Sequence, residues 1–136
     1  MTRLATNSSQ RYTLCRAERL RSRTAINTLF EGGSAFYTGG LRFVYHITQE
    51  SAPVPVQAMF VVPRKKHRKA TVRNRLRRLM KEAYRLHKPT FYAALPPVGV
   101  VWLAIIYVHT TIDTYTQVEA AMANGLKQLA HRLTPP

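Results

Sequence analysis

The sequence predicts a single-domain α/β (α+β) two-layer sandwich with the element order α-β-β-α-β-α. Three observations carry that expectation. The chain has 136 residues, a length that fits one domain of roughly 100–150 residues. Segments with a period of two are interleaved with segments of helical period. An uncharged β-branched and aromatic run, residues 98–108, has the composition of a strand covered on both faces. No internal repeat or linker divides the chain. The expected organisation is a flexible basic arm over 1–15 and one domain over 16–136, with room for an extra short strand.

A short helix is expected around 22–31, with Ile26, Leu29 and Phe30 on one side and Gly32-Gly33 ending it. Leu41, Phe43, Tyr45 and Ile47 alternate with Arg42, Val44, His46 and Thr48, as in a strand. A turn at 49–53 leads to a second strand over 54–62, where Pro55 marks an edge or a start. Residues 63–69 read as a basic loop before a long helix. In that helix Val72, Leu76, Leu79, Met80, Ala83 and Leu86 make one apolar stripe. Pro89 is expected to end it, and 91–95 to form a short helical turn before Pro96-Pro97. After the 98–108 strand, Val118, Met122, Leu126, Leu129 and Leu133 mark a terminal helix. Thr116 with Glu119 fits a capping box at its start.

The charge is lopsided: 21 Lys and Arg against 6 Asp and Glu, a formal net charge of +15. With 46% hydrophobic residues the chain is nevertheless globular in composition, so the excess points to a polyanionic partner. Twelve of the basic residues lie between Arg64 and Lys88, opposed only by Glu82. A second cluster, Arg11, Arg16, Arg19, Arg21 and Arg23, has only Glu18 against it. Arg73, Arg77, Lys81 and Arg85, spaced by four, form a ridge on the long helix. Asn74 and Arg78 lie beside that ridge and Arg75 nearer the apolar border. Like charges at this spacing destabilise a helix by roughly 0.2–0.5 kcal/mol per pair. A polyanion lying against the ridge would reverse that penalty, and guanidinium groups can hold phosphate bidentately.

Other chemistry is thinly represented. Cys15 is the only cysteine, which excludes an intramolecular disulfide and a cysteine-cluster metal site. The run 98–108 is shorter than the ~20 residues of a membrane helix, and the first ten residues lack the apolar core of a signal peptide; a soluble, cytoplasmic protein is expected. Glu18, Glu31, Glu50, Glu82, Asp113 and Glu119 are scattered, without the paired carboxylates of a two-metal nuclease. His46, His67, His87, His109 and His131 show no ligand spacing. On charge alone, a ribosome-associated RNA-binding protein would fit, as would a DNA-binding module using 73–85. No second helix is spaced for helix-turn-helix docking.

One segment is more specific. Val62-Pro63-Arg64-Lys65-Lys66-His67-Arg68-Lys69-Ala70-Thr71-Val72-Arg73-Asn74-Arg75-Leu76-Arg77-Arg78-Leu79-Met80-Lys81-Glu82-Ala83-Tyr84-Arg85 resembles the signature of the bacterial ribonuclease P protein subunit. That signature is a basic loop, then Ala-x-x-Arg-Asn-Arg-x-(Lys/Arg)-Arg, then Arg/Lys-Glu-Ala-x-Arg. Arg19-Leu20-Arg21 followed by Ile26, Phe30 and Gly33 is similar to the family's N-terminal pattern, and the likeness covers nearly the whole chain after Tyr12. Two positions depart from it. Arg68 stands where many members have Gly, and Ile26 replaces the first of two helix aromatics.

The resemblance implies a protein that pairs with a large catalytic RNA to remove the 5′ leader from precursor tRNA, with the catalytic centre in the RNA. It implies catalytic-RNA contacts from Arg64, Lys65, Lys66, Arg68, Lys69, Arg73, Asn74, Arg75, Arg77, Arg78 and Lys81. It places the single-stranded leader in a cleft between the sheet and the first helix, where Ile26, Phe30, Phe43 and Tyr45 are the candidates to line it and an aromatic could stack on an unpaired base. Mg²⁺ would be held mainly by the RNA, and the protein would carry no catalytic or metal-ligating residue. The resembled family's parallel βαβ unit has a left-handed crossover, against the usual rule. No membrane and no small-molecule substrate is implied.

Overall fold

The computed structural model describes residues 14–49, 52–96 and 99–134. The expected arm, up to residue 13, lies outside the described residues, as do part of the 49–53 turn and position 98. A 3-10 turn, Arg16–Glu18, precedes α1 (Arg23–Gly32), β1 (Ser34–Thr38), β2 (Leu41–Thr48), β3 (Val56–Val61), α2 (Ala70–Ala94), β4 (Val100–Tyr107) and α3 (Tyr115–Leu133). The strands form one mixed sheet in the order β1-β2-β4-β3. β2 pairs antiparallel with both β1 and β4, whereas β3 and β4 are parallel and are joined through α2.

β1 adds a strand to the expected order. It forms a hairpin in which Thr38 pairs with Leu41 across Gly39-Gly40, and Gly39 takes a φ of +55°, the left-handed conformation a two-residue hairpin turn requires. At the sheet edge only Phe36 of this strand is buried, so its hydrophobic alternation is faint. The other edge is covered by the N-terminal segment. Arg19 bridges in parallel to Ala58, and the Leu20 N–H donates to the Ala58 carbonyl at 2.9 Å.

Three local expectations are corrected. α2 runs through Pro89 to Ala94. The missing N–H costs one ladder bond, but Phe91 and Tyr92 beyond it are buried and the Tyr92 hydroxyl donates to Glu18. The expected turn at 91–95 is therefore the end of the same helix. The capping box of α3 is formed by Thr114 and Gln117, two residues earlier than expected, because the Tyr107 hydroxyl holds the Asp113 N–H and fixes where the helix starts. Leu86, assigned to the apolar stripe of α2, is exposed, whereas Lys88 is fully buried.

The pleat sends alternate residues to opposite faces. Leu41, Phe43, Val56, Ala58, Leu103, Ile105 and Tyr107 join the core under α2 and α3. Val44, Val100, Trp102, Ala104 and Ile106 face the other way and pack with Ala25 and Leu29 of α1. β4 is buried along its whole length, as its uncharged composition requires.

Candidate nucleic-acid interface

α2 and α3 run side by side in one direction. His87 lies 3.4 Å from Glu119, and further along Thr90, Phe91 and Ala94 line a groove with Leu126, Ala130 and Thr134. The N-terminal turns of α2 therefore project ahead of α3, and they carry the cations. Arg64, Lys65, Lys66, Arg68, Lys69, Asn74, Arg75, Arg78 and Lys81 are exposed, and Arg73 and Arg77 are half-buried. Arg75 is on the open side of the helix rather than at its apolar border.

Several of these groups also hold the protein together. The Lys66 ammonium donates to the Val108 carbonyl at 2.6 Å. Arg73 Nη1 donates to the carbonyls of His67 and Arg68 at 3.0 and 2.7 Å. Arg77 donates to the Asn74 amide oxygen, so Asn74 orients an arginine of the ridge. Arg85 pairs with Glu82 at 2.6 Å, and its hydrogen bonds keep the Glu82 carboxyl below the usual carboxylate range. The ridge thus presents open cations from the loop to Lys81 and a compensated pair at its end.

The loop owes its shape to a residue with no assigned role. His67 is buried, packs its ring against Tyr107 at 5.4 Å, and places Nε2 2.8 Å from the His109 carbonyl. Since a carbonyl only accepts, Nε2 carries the proton there. The opposing segment is itself fixed: the Tyr107 hydroxyl donates to the Thr111 carbonyl at 2.6 Å, and His109 Nδ1 meets Asp113 Oδ2 at 2.9 Å.

The cleft beside α1 has a different lining from the one expected. Phe43 is fully buried beneath α3, stacked on Phe36 at 5.2 Å and pressed on Gly125. Tyr45 shares that face and meets Phe36 edge-on. The pleat thus directs both away from α1, and neither lines the cleft. The residues facing α1 are their neighbours Arg42, Val44 and His46. Thr24 and Thr28, on one flank of α1, border a cavity of about 480 Å³ with Thr48, Ala52, Gln57 and Trp102. Ile26 and Phe30 lie on the opposite flank, about 200° around the helix from Thr24 and Thr28. Ile26 packs against the cluster that Met59, Val61 and Val108 also join, and Phe30 is 45% exposed. On the same sheet face Tyr37 is 64% exposed beside the Arg42 guanidinium, whose Nε is buried without a protein partner. Sequence reasoning missed Arg42 and Tyr37; the alternation that defined β2 was the available signal, read for the wrong face.

Four of the acids are occupied in contacts of their own. Glu18 pairs with Lys88, Glu82 with Arg85, and Asp113 and Glu119 each face a histidine. Among the described residues no three His, Cys, Asp or Glu side chains come together as a metal site. No helix among them is long and apolar enough to cross a membrane.

The fold and its cationic helix define a class: small α+β proteins built on one four-stranded mixed sheet with a projecting basic helix. Comparison with known proteins narrows it. The family model described as Ribonuclease P matches residues 14–133. A ribonuclease P protein component of Porphyromonas gingivalis is 35% identical over 118 residues, 86% of either chain. That of Chlorobaculum tepidum is 40% identical over 85 residues, 60% of this chain and 55% of its own. Among solved structures, the RNase P protein of Staphylococcus aureus superposes with a TM-score of 0.66 at 14% identity, covering 88% of this chain and 100% of that one. The RNase P protein of Thermotoga maritima gives 0.64 at 23%, covering 82% and 96%; these two support the fold. The chain belongs to the ribonuclease P protein component family, and its place is in tRNA processing, as part of a ribonucleoprotein.

Proposed function

We propose that the loop 64–69 and the exposed ridge of α2 bind the catalytic RNA of ribonuclease P, and that the Phe30 flank of α1 receives the 5′ leader of precursor tRNA. The observation that carries this reading is the projection of the cationic half of α2 beyond α3, with Glu82 already paired to Arg85. Ile26 and Phe30 offer an apolar wall and an exposed ring on which an unpaired base can stack. Arg42 and Tyr37 add a cation and a second ring on the same sheet face. Mg²⁺ and the hydrolytic centre belong to the RNA, a reading supported by the engagement of Glu18 with Lys88 and of Glu82 with Arg85.

The test is cleavage of precursor tRNA by a cognate catalytic RNA at low Mg²⁺, with and without the protein. The protein should restore cleavage and tighten substrate binding; failure of both would sink the reading. Cleavage by the protein alone would reveal a protein active site. Phe30→Ala should weaken binding of substrates with a long leader and leave leaderless tRNA unaffected. Equal losses on the two substrates would remove the leader assignment.

A further inference from the structure

Residues 16–23 hold four arginines and one acid, and the fold sorts them by burial. Arg16, Arg19, Arg21 and Arg23 are exposed, whereas Glu18 is buried. Glu18 Oε1 accepts from Lys88 Nζ at 3.0 Å and from the Cys15 N–H at 2.9 Å. Its Oε2 accepts from the Tyr92 hydroxyl at 2.6 Å, and the Tyr84 hydroxyl lies 3.3 Å from that of Tyr92. The same segment is tied to β3, where the Gln57 side-chain amide donates to the Ala17 carbonyl at 3.2 Å.

This docking has two consequences. The one acid of the segment is turned inward and neutralised by a lysine, so its outward surface is purely cationic. Its place on α2 is also fixed: at 100° per residue, Lys81, Lys88 and Tyr92 fall within about 40° of one another around the helix. The segment therefore seats on the flank where Lys81 closes the exposed ridge, and its arginines continue the cationic surface.

We propose that Arg16, Arg19, Arg21 and Arg23 form a second phosphate-binding surface for the catalytic RNA, positioned by the buried Glu18–Lys88–Tyr92 latch. The proposal rests on the reading of the α2 ridge as facing that RNA. Guanidinium groups on a pinned segment meet phosphates without first ordering the chain, and they can do so bidentately.

The experiment titrates catalytic RNA with the full chain over a series of salt concentrations. It compares the wild type, a variant with the four arginines replaced by Ala, and a ridge variant, Arg75→Ala with Arg78→Ala. Each lost phosphate contact lowers the slope of log affinity against log salt by about 0.7–0.9, so the four-arginine variant should lose about three units. Unchanged affinity and slope in that variant, with a loss in the ridge variant, would overturn the proposal and leave the ridge reading standing. No loss in either variant would overturn both. A loss confined to precursor tRNA binding by the holoenzyme would also overturn it, by moving the surface to the substrate.

The latch is tested by Glu18→Leu with Lys88→Met, which keeps every arginine. Affinity should fall severalfold with the slope retained, and wild-type affinity would remove the positioning role. Should that pair not fold, Glu18→Gln, which keeps one oxygen acceptor but not the charge, is read the same way.

Discussion

Glu18 and Lys88 show how much one pair can set. Both are charged and both are buried, so removing either leaves its partner's charge stranded in the core. Glu18→Ala should destabilise the protein by about 3–5 kcal/mol in urea denaturation, and an apolar replacement of both residues by much less. The pair is also sensitive to acid. Burial raises the Glu18 carboxyl, but the Tyr92 hydroxyl, the Cys15 N–H and Lys88 together outweigh it and leave the group below its ordinary value. A carboxyl depressed on folding contributes stability above its unfolded value, near 4.5, and loses it as pH falls through the folded one. Unfolding midpoints measured from neutral pH down to about 3 should therefore fall more steeply for the wild type than for Glu18→Gln. Two phenylalanines make the opposite contrast. Phe43→Ala should cost about 3–5 kcal/mol, whereas Phe30→Ala should stay within about 1 kcal/mol and act on RNA binding instead. The Glu18–Lys88 pairing was not legible in the sequence. Lys88 read as one more member of a basic run, because a one-dimensional charge count cannot show which lysine meets an acid 70 positions away.

At the scale of elements, the reading succeeded where periodicity was strong and failed where a single residue had to arbitrate. The stripe of α3, the alternation of β2 and the uncharged β4 all carry long signals, and each formed the expected element. Pro89 was a one-residue signal for a stop, overruled by the burial of Phe91 and Tyr92. The cleft shows the subtler failure: the strand was right, but period two leaves the choice of face open, and α3 claimed Phe43. The basic loop depends on contacts the sequence hides as well. His67 lies among cations and looks like one of them, yet it pins 63–69 to 107–113 through Tyr107 and the His109 carbonyl. His67→Ala should speed amide exchange across 63–69 while leaving the buried turns of α2 around Leu76 and Met80 protected. Catalytic-RNA affinity should fall although no cation has been removed. Unchanged exchange in the loop would show that Lys66 and Arg73 suffice to hold it.

For the whole molecule, the net charge of +15 is not spread evenly. Three of the four acids held in side-chain pairs lie on the helices or the 3-10 turn, and Glu18 and Glu82 sit against α2 itself. Among the described residues, no acid pairs with the cations of the loop or of the first turns of α2. Binding to catalytic RNA should accordingly weaken steeply as salt rises, with a slope set by the number of phosphates neutralised rather than by total charge. One architectural detail bears on a different property. β3 is an outer strand of the sheet, and among the described residues the short parallel bridge at Arg19 and Leu20, with the Gln57 side chain on the Ala17 carbonyl, covers its rim. A bare strand rim is a template on which another chain can add. Beyond any part in RNA binding, the N-terminal strap is therefore expected to shield that rim from a second copy of the chain. A chain shortened to begin at Ser22 and carrying Lys88→Met, so that no buried charge is stranded, should self-associate as its concentration rises in sedimentation, and a Pro introduced at Ala58, whose N–H faces the same rim, should suppress that association by removing a donor from the open edge.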